Sequence, residues 1–522
     1  MFKNEVSEFI YKRTYSRWIE EESRREDWPE TIERFIGFII SERPKIPEKT
    51  VSKIRKYMTE FAVMPSMRFL WAAGPAAKAD NTTIYNCSFA KINCVEAFAE
   101  CLYVLMCGTG FGFSVEDEEV SKLPVIPEIK SGQALAKILI DDSKKGWADS
   151  VKTLMNSLYD GQNIHFDYSA IRPEGARLMT MGGRASGPAP LIKLHDFIRE
   201  TLHNAQGRQL TTLEAHDICN QIAEIVVVGG VRRSSQISLS DLQDEDMRHA
   251  KDWPYPIKRA MANNSAVYRE KPSAADFLKE WGSLAQSGTG ERGIFNLQAA
   301  QNKAPPRRYA PLIQGTNPCG EIMLRDMQFC NLSEVVMRAD DDLDSLLDKV
   351  ETATWLGVIQ SSFTNFPYLR ESWKKNCDVE ALLGVSLTGQ MDNYALLSSD
   401  ALKALKSRVL RISRKASGIL GTKMPAATTC VKPSGTVSQL VDSASGVHPR
   451  YSEYYIRRYR ISANDPLFQM MKDAGIKYHP ENGQEEETAN TFVLEFPVKS
   501  PEGCVTRKDV TALDQLKHYK NL

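Results

Sequence analysis

The chain has 522 residues, 42% hydrophobic and 25% charged, the composition of a soluble globular protein long enough to bury a large core. Lysine plus arginine equals aspartate plus glutamate at 66 each, so no excess charge argues for duplex nucleic acid or an acidic membrane as partner. The longest apolar stretch, 222–231, falls far short of the roughly 18 residues of a membrane span. The charged start, 1–8, lacks the apolar run of a signal peptide, so the sequence reads as cytoplasmic.

Residues 1–60 read as helical and charged. Asp27-Trp28-Pro29-Glu30-Thr31 places proline early in a helix among acids, and apolar residues recur at Ile32, Phe35, Ile36 and Ile39. A loop of small and polar residues, 72–83, leads to Tyr85-Asn86-Cys87. The apolar segment 97–106 predicts a buried helix ending at Gly108-Thr109-Gly110-Phe111-Gly112. That spacing, after a helix, is not the dinucleotide fingerprint, so these glycines read as points of close backbone approach. Segment 124–160 has no clear core, and the glycines and prolines of 172–190 predict a long loop. Residues 215–231 form a strong helix pattern stopped by Gly229-Gly230. Strand-like runs at 293–297, 320–324, 384–387 and 491–498 alternate with helical stretches such as 343–363 and 400–420, which predicts an α/β architecture, with a barrel as one form of it.

Ten cysteines occur, at 87, 94, 101, 107, 219, 319, 330, 377, 430 and 504, with no CxxC pair. In a reducing compartment they are not structural disulfides, and their spacing offers no zinc ribbon; the expectation is no metal site. Asn317-Pro318-Cys319-Gly320-Glu321 alternates amide, thiol and carboxylate, and on an extended strand these three side chains would share one face. The competing reading is an Asn-Pro turn followed by a core cysteine. Taken singly, Cys330 reads as a buried cysteine and Cys87 carries no signal. Pro433-Ser434-Gly435-Thr436 is a small-residue turn ahead of the apolar run 437–441; it suits a phosphate or is an ordinary helix cap.

Together these pieces resemble the adenosylcobalamin-dependent (class II) ribonucleoside-triphosphate reductases of the monomeric type. The segments that carry the resemblance are Tyr11-Lys12-Arg13-Thr14-Tyr15, Pro65-Ser66-x-Arg68-x-Leu70-Trp71, Asn86-Cys87, Gly110-Phe111-Gly112-Phe113-Ser114-Val115, Ala185-Ser186-Gly187-Pro188 and Val231-Arg232-Arg233-Ser234. They continue in family order with Thr316-Asn317-Pro318-Cys319-Gly320-Glu321-Ile322, Cys330-Asn331-Leu332, Val431-Lys432-Pro433-Ser434-Gly435-Thr436-Val437 and Glu495-Phe496-Pro497-Val498-Lys499.

The resemblance implies a ten-stranded α/β barrel of two five-stranded halves around a finger loop. It also implies a helical N-terminal region over 1–65 and a barrel over 66–522 with a short effector-type insertion near 124–190. It implies that Cys319 carries a thiyl radical generated with adenosylcobalamin, that Glu321 is the base at the ribose 3′-hydroxyl, and that Asn317 orients substrate hydroxyls. Cys87 and Cys330 would reduce the substrate and end as a disulfide. Ser66 and Pro433, Ser434, Gly435 and Thr436 would contact the phosphates of a nucleoside triphosphate, and Gly183 and Arg184 an effector nucleotide. Thioredoxin or a similar reductant is the implied electron source.

Two departures accompany the match. Segment 124–160 is shorter than the effector region of the monomeric reductases, and no cysteine follows Cys504 where relatives carry a two-cysteine tail. The expectation is a C-terminally truncated chain whose tail a second polypeptide would supply. Three other readings stand beside the first: a reductase using a separate metal-containing radical subunit, an inactive nucleotide-binding remnant, and a non-enzymatic metal protein, which the ligand spacing disfavours.

Overall fold

The computed structural model describes residues 2–522 except 131–136, 177–184, 229–234, 464 and 488. The effector positions Gly183 and Arg184 and the Val231-Arg232-Arg233-Ser234 segment lie outside these described residues.

The architecture is α/β, as the alternation predicts. Five strands run parallel in the order Gly293–Asn296, Ala262–Tyr268, Gln236–Asp241, Gly110–Ser114 and Cys87–Lys91. Gln328–Phe329 closes the far edge antiparallel to Cys87–Lys91. The central strands are buried at almost every position, as expected of parallel strands covered on both faces. A second sheet pairs Ser333–Val336 parallel to Val385–Thr388 and antiparallel to Val63–Pro65. A third is antiparallel, with Thr491–Lys499 between Tyr454–Ser462 and Lys477–Pro480. Among the described residues no closed sheet is formed.

The expected helices are present with their ends shifted: Val95–Met106, Thr212–Val228, Leu343–Ser361 and Ser399–Leu420. Val95–Met106 is buried on nearly every face, which explains why it is apolar apart from Glu96 and Glu100, the latter paired with Arg370. The structure adds a sixteen-residue helix, Lys144–Tyr159, inside the stretch where the sequence has no clear core. Its charged turns hide a buried stripe of Val151, Leu154, Met155 and Leu158. Asp27 caps Trp28–Glu42 through a reciprocal capping box with Glu30. The N-terminal helices share the core of the later chain: Phe38 stacks on Phe363 at 5.3 Å and Phe9 meets Phe496 at 5.3 Å. No helix among the described residues is long and apolar enough to cross a membrane.

Candidate active site

The finger is a short hairpin. Gly315–Thr316 pairs antiparallel with Met323–Leu324, and residues 317–322 form the tip. The one-face strand reading of Asn317, Cys319 and Glu321 is therefore corrected. Only Met323–Leu324 of the expected strand 320–324 is extended in a ladder. Pro318 cannot continue a ladder, and Gly320 has φ +82°, so the chain turns, with the Gly320 N–H donating to the Asn317 carbonyl at 2.9 Å. The turn predicted from Asn-Pro is present, yet Cys319 is exposed rather than part of the core.

Asn317 organises the tip. Its side-chain oxygen accepts from the Ile322 N–H at 3.0 Å, and its amide donates to Glu321 at 2.8 Å. Amide and carboxylate thus meet across the turn instead of along a strand. Two glycines let the finger lie flat on the parallel sheet. A Cβ on Gly112 would stand 2.3 Å from the Thr316 carbonyl oxygen, and one on Gly315 would strike the Phe89 ring at 2.2 Å. Gly112 is thus one of the close-approach positions expected of the Gly108–Gly112 run.

Beneath the tip lie two buried thiols. The register that pairs Phe89 with Gln328 and Ser88 with Phe329 brings Cys87 opposite Cys330 at its next step. The Cys330 N–H donates to the Cys87 carbonyl at 2.9 Å. Residues opposed in an antiparallel pair have Cα atoms about 4.5–5.5 Å apart, within disulfide reach. The Cys87 thiol contacts the sulfurs of both Cys319 and Cys330. Its Cys319 contact pulls the Cys87 thiol down, but the Cys330 contact and burial outweigh it and hold it well above its ordinary value. Phe329, beside Cys330, packs on Tyr85 at 5.0 Å and Trp373 at 4.8 Å. No disulfide joins any of the ten cysteines.

Burial pushes the Glu321 carboxyl above the usual carboxylate range, and Glu334 adds to this, while the Asn317 amide and Lys432 pull the other way. Lys432 pairs with the buried carboxylate of Glu334, which the Ser434 hydroxyl also bonds. Burial works to discharge Lys432, but Glu334 outweighs it and holds the ammonium above its ordinary value.

The phosphate-type turn therefore borders the finger. The helix after it, Thr436–Leu440, is only five residues long, and the Ser434 hydroxyl is already engaged. Gly435 is exposed. Ser66 caps the helix Met67–Ala72: its hydroxyl accepts from the Phe69 N–H at 3.3 Å and lies 3.3 Å from Gln360.

A family model described as the ribonucleotide reductase alpha domain matches residues 1–75. Another, the B12-dependent ribonucleotide reductase insertion domain, matches 128–202. The chain is 29% identical to the adenosylcobalamin-dependent ribonucleoside-triphosphate reductase of Levilactobacillus brevis, over 95% of its own length and 79% of the relative's. It is 27% identical to the enzyme of the same description from Lactobacillus acidophilus, over 95% and 80%. A crystal structure of a B12-dependent (class II) ribonucleotide reductase superposes with a TM-score of 0.81 at 25% identity, covering 94% of this chain and 81% of that one. Over nearly its whole length the chain is similar to B12-dependent ribonucleotide reductases. The alpha subunit of the Actinobacillus ureae class Id reductase shares the fold at a TM-score of 0.54 and 13% identity.

In this chain, Cys87, Cys319, Cys330, Asn317 and Glu321 gather at one place, with Lys432, Glu334 and Ser434 at its margin. Sequence reasoning did not single out Glu334. The available signal was a glutamate inside the apolar strand Ser333–Val336, a charge that burial makes expensive unless it is paired. Lys432 stood within a matching segment without a role.

Proposed function

We propose that this chain converts ribonucleoside triphosphates to 2′-deoxyribonucleotides by thiyl-radical chemistry at Cys319. The observation that carries this reading is the meeting of an exposed finger-tip thiol with the buried Cys87 and Cys330 beneath it. The tip suits a bulky cofactor such as adenosylcobalamin: Cys319 and Gly320 are exposed, and a Cβ on Gly320 would meet nothing within 4 Å. These two residues would face the cofactor, which when bound supplies the radical that takes the thiol hydrogen of Cys319.

The chain's own groups do the rest. The Cys319 thiyl takes the ribose 3′-hydrogen, and Glu321 accepts the 3′-hydroxyl proton. Its raised proton affinity matches a base that must also return that proton near neutral pH. Asn317 holds both Glu321 and the tip backbone, and its amide is placed to orient substrate hydroxyls. The 2′-hydroxyl leaves as water, Cys87 and Cys330 supply two hydrogens, and a disulfide forms between them. Thioredoxin or a similar dithiol would reduce that disulfide. Ser66 and Pro433–Thr436 (433–436) would receive the phosphates, Lys432 adding a positive charge beside the turn.

The five parallel strands fit one half of a ten-stranded barrel. Ser333–Val336, Val385–Thr388 and the parallel bridge from Val385 to Thr429 support a second half. The division into 1–65 and 66–522, with an effector-type insertion near 124–190, is supported by the two family-model spans. The insertion match also favours cobalamin over a separate radical subunit. Deoxynucleotide formation from each of the four ribonucleotides, with and without adenosylcobalamin, tests the reading. Equal product without the cofactor would overturn it.

A further inference from the structure

The helix Glu371–Glu380 ends on a buried carboxylate, with the Glu380 side chain 1% exposed. A negative charge is unfavourable at a helix C-terminus, and a buried one is costly unless paired. Glu380 is paired on three sides. Arg308 reaches its two oxygens at 3.1 and 3.0 Å through Nε, and Arg325 forms an ion pair at 2.8 Å. Gln328 donates its side-chain amide at 2.9 Å. Gln328 in turn accepts from the Arg325 N–H at 2.9 Å and from Arg308 at 3.3 Å.

These partners occupy three distinct places in the chain. Arg308 lies on the segment entering the finger, Arg325 directly follows its return strand Met323–Leu324, and Gln328 opens the strand that leads into Cys330. The same helix adds Asn376, which donates to the Asp326 carbonyl at 2.8 Å, and Trp373, which packs on Phe329. One carboxylate therefore gathers both feet of the finger and the Cys330 strand.

We propose that Glu380 is a positioning residue that locks the finger bearing Cys319 to the strand bearing Cys330, fixing the radical thiol against the reducing pair. The inference rests on the functional reading above. Glu380 touches no reacting atom in it and acts through the placement of sulfurs. A misplacement of about 1 Å in such a site lowers turnover on the order of 100-fold.

The test uses the full chain with adenosylcobalamin and nucleoside triphosphate, comparing wild type, Glu380→Gln and Glu380→Asp. Two quantities are read below each variant's melting temperature. One is kcat against KM. The other is the half-oxidation point of Cys87 and Cys330 in glutathione buffers, with no cofactor or substrate present. Glu380→Gln is expected to lower kcat by about 10–100-fold with KM little changed, and to displace the half-oxidation point. Glu380→Asp, which keeps the charge, should lie between it and wild type. A folded Gln variant with wild-type kcat and an unmoved half-oxidation point overturns the proposal. So does a kcat loss matched by the loss of folded protein, with Asp no better than Gln. If Glu380→Gln does not fold, Arg308→Lys, which keeps the charge but cannot straddle two oxygens, should move both readings in the same direction. No change there also overturns the proposal. Wild type making no deoxynucleotide would instead sink the functional reading, and the half-oxidation point would still test the clamp.

Discussion

Cys330 and Cys319 belong to one short stretch of chain, yet the fold holds them by different means. Cys330 sits at the end of a strand, opposite Cys87 in the ladder and buried in the same apolar cluster as Cys87 and Phe89. Cys319 rides an exposed turn held by the side chain of Asn317 and by a glycine in the left-handed region. Strand register fixes a pair that must meet each other. A turn presents a single sulfur outward while keeping it in touch with Cys87. The difference fits a division of labour in which one thiol faces the radical source and two lie sheltered below it.

The sharpest way to break this contrast is Cys319→Ser. The side chain is exposed and the turn is held by its neighbours, so folding should survive, with an unchanged circular dichroism spectrum and melting point. Deoxynucleotide formation should fall below detection. Product near the wild-type level would remove Cys319 from the chemistry and leave the finger without its assigned purpose.

The second test concerns the sheltered pair. After a single turnover without added reductant, peptide mapping should find Cys87 linked to Cys330, with Cys319 still a thiol. Cys330→Ser should then give no net deoxynucleotide, because only one of the two required hydrogens remains on the strand pair. A disulfide from Cys319 to either partner in the working enzyme would contradict the division between tip and ladder.

A smaller effect is expected in the pH profile, where tip and margin meet at Glu321. Burial raises its carboxyl, and a protonated carboxyl cannot act as the base. The acid limb of kcat/KM should therefore lie above the usual carboxylate range, with activity lost as pH falls through it. Lys432 pulls that affinity down, so Lys432→Met should move the limb to still higher pH. A limb that stays in place or moves to lower pH would show that Lys432 does not bear on the base.

How much of this was legible in the sequence follows the same contrast. The α/β alternation and the buried helix Val95–Met106 could be read from apolar patterning, because burial leaves its mark on every residue. The cysteines proposed for catalysis stood out only jointly, through the family resemblance, since a single cysteine in a strand looks like any small buried residue. The alternation of Asn317, Cys319 and Glu321 suggested a strand, and the Asn-Pro and Gly320 signals for a turn prevailed. Glu380 gave no local sign at all. Its partners are remote in sequence, and neither periodicity nor spacing links a helix end to both feet of a finger. The helix Lys144–Tyr159 was hidden because its buried stripe is narrow and interrupted by lysines, serines and asparagine.

The mildest perturbation probes the turn at 433–436, where the helix that follows is a single turn and contributes little dipole. If phosphates settle there, they rely on the open backbone around Gly435 and on Lys432, because Ser434 already bonds Glu334. Gly435 allows a clean test. Its φ is −77°, an ordinary value for any residue, and a Cβ there would meet nothing within 4 Å. Gly435→Val should therefore fold with a melting point close to wild type, while its side chain occupies space that a phosphate would use. The expected result is a KM for nucleoside triphosphate raised by about tenfold, equivalent to about 1.4 kcal/mol of binding, with kcat reduced far less. The split matters, because a methyl pair at the margin should weaken substrate binding without moving the sulfurs that the ladder and the finger hold. Unchanged KM in a folded Gly435→Val variant would take the phosphate role away from this turn, and a fall in kcat alone would place Gly435 with the finger instead of the margin.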